Sequence, residues 1–173
     1  MTTLATSARN LKRVCVPMMA VAPEQEPKGK VTVETRFGVI EFDRSATLTF
    51  PKGIPGFKDY HEFGMAKLPG AGESNLVLLQ SIEPGELSFI VCCYELAAGL
   101  IDPEDIAQAC QSLGIQPTDC AIVVVANFHR AGAGAGTRMS VNLRAPLLID
   151  TANRLAWQYI LSNEKYDVRH MLD

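Results

Sequence analysis

The stretch VTVETR (31–36) alternates apolar and polar residues one by one, FG follows, and VIEFD (39–43) resumes the alternation. A period of two is that of a half-buried strand, so the pair predicts a β-hairpin. ATLTF (46–50) gives a third strand, and HEFGMAKL (61–68), NLVLLQSI (75–82) and LSFIVCCY (87–94) give three more. The last two are almost continuously apolar, which places them centrally with both faces covered. EPGE (83–86) between them is a tight turn. CAIVVVANFH (120–129) is another buried strand; MSVNLRAPLLIDT (139–151) and LAWQYIL (155–161) are two strands joined by ANR. RAGAGAGTR (130–138) is a glycine-alanine loop, and the tail SNEKYDVRHMLD is polar with scattered apolar anchors.

One segment breaks this period. In IDPEDIAQACQSLGI (101–115), Ile106, Ala109, Cys110 and Leu113 recur at helical spacing. Asp102 is placed to cap the N-terminus, Pro103 takes the first helical position, and Glu104 and Asp105 favour the positive end of the dipole. Gly114 ends the helix. Cys110 falls on its apolar face and reads as core rather than nucleophile. Many short strands and one helix, about 103–113, predict a mainly β domain: a small antiparallel barrel or sandwich.

FPKGIPGF (50–57) is unusual for a loop, with two prolines, two glycines and two phenylalanines in eight positions. Phe50 and Phe57 are spaced as two aromatic anchors pinning a rigid bend. A packed structural turn is the first reading, with Phe57 buried; a rigid apolar edge offered to a partner is the second.

Composition narrows the class. At 173 residues, 47% apolar and 20% charged, the chain suits one globular domain with a real core. No apolar run approaches a membrane span, so no membrane association is expected. Five cysteines, an odd number without a C-x-x-C pair, argue against a disulfide framework or zinc site and for a reducing compartment. Residues 1–30 carry five basic and two acidic side chains; the remainder carries 11 basic and 17 acidic, a net of −6. Such a body grips phosphates poorly and suits a basic protein partner. RNLKRVCVPMMAVAPEQ imitates a secretory signal, but Pro17 interrupts its apolar run and Pro23 follows Ala20-Val21-Ala22, where cleavage would fall. A disordered extension over 1–29 is preferred, before a β domain over 30–173; a later start at Met18 or Met19 is the other reading.

Candidate chemistry is thin. AGAGAG (131–136) lacks the Gly-Lys-Ser/Thr ending of a phosphate loop and leads into a strand. Ser81 and His61 with an acid form a hydrolase triple only on paper, without a nucleophile elbow. His129 could join His61 on a metal, yet no ligand spacing supports it. The expectation is no enzyme, no metal and no cofactor.

VETRFGVIEFDRSATLTFPKGIPGFKDYHEF, LLQSIEPGELSFIV, MSVNLRAPLLIDTANRLAWQYIL and YDVRHML, in that order, resemble the FliW family of bacterial flagellar assembly factors. The resemblance covers about residues 31–173. The long extension, RAGAGAGTRM and the short ANRLAWQ turn depart from the family pattern. The resemblance implies a cytoplasmic, non-enzymatic binding protein with two partners, flagellin and the RNA-binding translational regulator CsrA. Freed when flagellin is exported, it would capture CsrA and lift repression of flagellin translation. A generic small β-barrel binding module, for RNA or a small ligand, is the alternative. For partner contacts, Glu83-Pro84-Gly85-Glu86 sets two carboxylates on a tight turn suited to a basic surface. Asn142 and Pro146 flank a segment where Pro146 cannot donate to a ladder, so an edge or bulge is expected there, an open edge being a natural dock for flagellin. Phe57 completes the candidate set.

Overall fold

The computed structural model describes residues 29–72, 74–93, 99–130 and 136–172. The expected N-terminal extension and most of the glycine-alanine loop therefore lie outside the described residues. Eleven strands and one α-helix follow one another: β1 (Lys30–Thr35), β2 (Gly38–Asp43), β3 (Leu48–Thr49), β4 (Glu62–Lys67), β5 (Leu76–Ser81), β6 (Ser88–Cys93), α1 (Pro103–Leu113), β7 (Cys120–Arg130), β8 (Thr137–Val141), β9 (Leu147–Asp150), β10 (Leu155–Gln158) and β11 (His170–Leu172). The mainly β class stands. No helix among the described residues is long and apolar enough to cross a membrane.

Strands pair in the order β11-β8-β7-β6-β5-β4-β3-β10-β9, and β9 pairs again with β7. That last pairing closes β3, β4, β5, β6, β7, β9 and β10 into a ring. Nine of the ten strand pairings are antiparallel, but β10 and β3 are parallel at Leu155 and Thr49, so the sheet is mixed rather than purely antiparallel. Alternation fills the ring: Phe50, Phe63, Leu79, Val91, Val123, Leu147 and Ile149 meet inside it. The rings of Phe50 and Phe63 lie edge-on at 5.0 Å. The opposite residues of β7, Ile122, Val124 and Ala126, form an outer core with α1 and the tail anchors Leu161 and Tyr166.

The β1–β2 hairpin packs on the outside of the ring through Val33 and Phe42 against Ile82. Two glycines make room for it. A Cβ on Gly64 would lie 2.3 Å from the Phe42 ring, and one on Gly85 2.8 Å from Val33 Cγ1.

Helix α1 has the predicted limits, with Gly114 in the left-handed conformation at its end. Its capping differs. The Asp102 side chain makes no capping hydrogen bond and pairs with Lys165 instead. Tyr166 serves the helix start: its hydroxyl accepts from the Asp102 N–H at 3.0 Å and donates to the Asp105 carboxylate.

Candidate functional site

Gln80 and Ser81 end an otherwise apolar strand, and their side chains build the Glu83–Glu86 turn from below. Gln80 Nε2 donates to the carbonyls of Gly85 at 2.7 Å and Leu87 at 3.0 Å, and to that of Ser81 at 3.1 Å. Ser81 Oγ donates to the Pro84 carbonyl and accepts from the Leu87 N–H at 3.1 Å. The Glu83-Pro84 peptide is cis. These bonds hold a turn whose residues Glu83, Pro84 and Glu86 are exposed. Its two carboxylates are not equivalent. Glu83 is paired with Arg44, which also lies 3.7 Å from Glu62, whereas Glu86 forms no ion pair among the described residues. Glu86 therefore presents the less compensated charge. Gln80 was missed by the sequence reading; a polar pair closing the run Leu76–Leu79 is the signal that marks it.

The Ser81 and His61 side chains bond elsewhere rather than to each other. Ser81 is committed to the turn, and His61 Nδ1 donates to the Phe50 carbonyl at 2.9 Å. His129 instead meets Ser140 Oγ at 2.7 Å.

In the 50–57 loop, Phe50 and Ile54 are the buried anchors. Gly53, at φ 65°, lets the chain double back: a Cβ there would sit 2.5 Å from Lys58 Cα. Phe57 is not buried as expected. It is 41% exposed, and its ring stands edge-on to Phe89 at 5.6 Å and Tyr60 at 6.3 Å. The Ile54–Phe57 turn closes through a 2.7 Å backbone bond from the Phe57 N–H, which directs the ring outward along the barrel rather than into it.

Asn142 and Pro146 bound a bulge, as the missing proline donor suggests. Val141 pairs with Ala126 and Leu147 with Val123, so residues 142–146 face only Val124 and Val125. There is no open edge at Pro146: it is buried, and β9 has partners on both sides, β7 and β10. The tail clasps the bulge. Tyr159 N–H donates to Pro146 O and Leu161 N–H to Arg144 O, both at 2.9 Å, while Asn142 Oδ1 accepts from Ala145 N–H at 3.1 Å.

A groove of about 490 Å³ opens where β6 and β7 part beyond the Ile90–Ala126 pair. Arg36 and Phe37 of the hairpin turn form one wall, Phe89 and Phe128 others. The Arg36 guanidinium stacks 4.8 Å from the Phe37 ring centre.

Comparison with known proteins agrees with this architecture. The family model described as FliW protein matches residues 31–172. The flagellar assembly factor FliW of Alkaliphilus metalliredigens is 32% identical over 136 residues, covering 79% of this chain and 82% of that protein. That of Ruminiclostridium cellulolyticum is 32% identical over 142 residues, covering 80% and 90%. A crystal structure of the flagellar assembly factor FliW superposes with a TM-score of 0.64 at 28% identity, over 84% of this chain and 97% of that one. A mixed β-ring with one helix, matched in sequence along nearly its whole described length, makes this chain a member of the FliW family.

Proposed function

We propose that the protein acts without catalysis, in the cytoplasm, by binding flagellin and, when flagellin is absent, a CsrA-type translational regulator. The observation that carries this is membership in a family of flagellar assembly factors over residues 31–172. The surfaces support it in kind. Glu86, on a turn held rigid from beneath, meets a basic protein at little ordering cost. Phe57 and Tyr60 give an aromatic patch for an apolar segment of flagellin. The net charge of −6 beyond residue 30 lets the bound factor repel RNA phosphate through its field as well as by contact.

The experiment is titration calorimetry with purified flagellin and with CsrA, followed by RNA competition across a salt series. Glu86→Lys is expected to weaken CsrA binding about tenfold or more, and Glu83→Lys less, because Arg44 already compensates that carboxylate. Phe57→Ala is expected to weaken flagellin binding. A field effect gives a ternary complex whose RNA penalty shrinks as the Debye length falls from about 10 Å at 0.1 M salt to about 3 Å at 1 M. Strict mutual exclusion at all salt concentrations would leave occlusion alone, and no binding of either protein would remove the proposal. The second reading, an RNA-binding module, is favoured by one feature: Arg36 beside Phe37, Phe89 and Phe128 resembles a stacking platform. Direct retention of single-stranded RNA, lost in Phe128→Ala, would select it.

A further inference from the structure

Cys110 and Cys120 come from different elements, the last full turn of α1 and the first residue of β7. Their sulfurs lie 3.1 Å apart, with Cys110 donating its S–H to Cys120 Sγ. Both are free thiols in the reduced structure. A disulfide bond is about 2.05 Å long, so an approach of about 1 Å would join them. The segment between them lies at the surface: Gln111, Ser112, Gly114 and Gln116–Thr118 are exposed. The pair lies directly beneath this short connection, with Cys110 2% and Cys120 4% exposed. Cys92 belongs to the same outer core but has no sulfur partner at bonding range among the described residues.

We propose that Cys110 and Cys120 form a reversible dithiol site that reduces a peroxide and, in doing so, staples α1 to the start of β7. Cys110 gives up its proton and its thiolate attacks one peroxide oxygen, giving a sulfenic acid, and the departing hydroxide takes up that proton and leaves as water. Cys120 sulfur then displaces that hydroxyl, its own proton leaving with it as a second water. Both thiols lose one electron, and the peroxide takes up two electrons and two protons. The order of attack follows from the sulfur–sulfur contact: once Cys110 has lost its proton, the adjacent Cys120 S–H turns to donate to the thiolate, which lowers the Cys110 pKa, while the same contact and burial raise that of Cys120. The site is reduced at rest, in keeping with a reducing compartment, and closes only under oxidant.

The test treats the native protein with hydrogen peroxide, then denatures it, alkylates it with iodoacetamide and maps its peptides by mass. The expected product is a cross-linked peptide pair bearing Cys110 and Cys120, 2 Da lighter than the sum of the reduced peptides (about one hydrogen lost per sulfur) and cleaved by dithiothreitol. Its melting temperature is expected to rise by about 5 °C or more, as closing a short loop in the unfolded chain predicts. In Cys120→Ala the first step loses the thiol that stabilises the thiolate and also has no successor, so Cys110 is expected to oxidise more slowly and to be trapped by dimedone as a sulfenic acid. Full alkylation of both residues after peroxide would overturn the proposal. So would oxidation of Cys110 to sulfinic acid in the unaltered chain without cross-linking.

Discussion

Replacing Gly64 with alanine asks what holds the β1–β2 hairpin to the ring. The new methyl would stand 2.3 Å from Phe42 Cδ1 and 2.8 Å from Cε1 and Cγ, where carbon atoms settle at about 3.5–4.0 Å. The ring must retreat by about 1 Å or more, yet Phe42 is only 4% exposed and wedged with Val33 and Ile82. Overpacking of this kind costs about 1–3 kcal/mol. Alanine offsets part of it, being better than glycine within a strand by about 0.5–1 kcal/mol. The net expectation is a loss of about 0.5–2 kcal/mol, bounded by the 3–5 kcal/mol or so of losing the phenylalanine altogether. Urea unfolding followed by the fluorescence of Trp157, the single tryptophan, measures it. The decisive arm is the double-mutant cycle. With Phe42→Ala already made, the clash is gone, and Gly64→Ala should turn neutral or stabilising by up to about 1 kcal/mol. An equal loss in both backgrounds would refute the reasoning, since the Phe42 ring would then not be what the methyl meets.

Phe57→Ala should cost only about 1–2 kcal/mol by the same assay, its edge contacts being worth about 0.5–1.5 kcal/mol. Phe50→Ala, fully buried, should cost about 3–5 kcal/mol; equal losses would contradict the assigned burial. Asp102→Ala should cost less than about 1 kcal/mol and less still in high salt, because among the described residues its carboxylate makes only an exposed pair with Lys165. Hydrogen exchange at residues 103–107 should barely change, and marked deprotection there would restore Asp102 as the cap. Burial, with Cys93 adding to it, pushes the Cys92 thiol from 9.0 to about 11. The folded chain thus keeps this proton longer than the unfolded one, so its contribution is whole below pH 9.0 and lost as pH climbs to about 11. Two units correspond to at most about 2.7 kcal/mol. The difference in unfolding free energy between the protein and Cys92→Ala should narrow across that window; parallel pH curves would exclude the effect.

The elements that the sequence announces are those with local causes. The β1–β2 hairpin declares itself by alternation and by Gly38 at φ 106°, and α1 by Pro103 at one end and Gly114 at the other. What escapes is set by distant partners. Nothing near Leu48 or Leu155 says that their strands run side by side and parallel. Phe50 and Phe57 look alike in sequence; one enters the ring and the other does not, because the turn at Ile54 fixes their directions. Pro146 states that a donor is missing but not whether an edge or a bulge absorbs the loss. Asp102 stands in the capping position, yet the hydroxyl that serves its N–H comes from Tyr166, 64 residues on. The Glu83–Glu86 turn was readable as a turn, whereas its stiffness comes from Gln80, which no turn rule names.

The ring closure also governs how the chain reaches its native state. Thr49 N–H finds its acceptor on Arg154, so β3 cannot be enclosed until the polypeptide has been made through β10. Until then β4 to β7 form an open sheet, showing water the face that carries Phe63, Leu79, Val91 and Val123. Pairings this far apart in the chain form slowly, and an unclosed sheet with bare edges is where chains associate wrongly. The growing molecule is therefore most vulnerable late in its synthesis, and the arrival of Leu155–Gln158 ends that exposure.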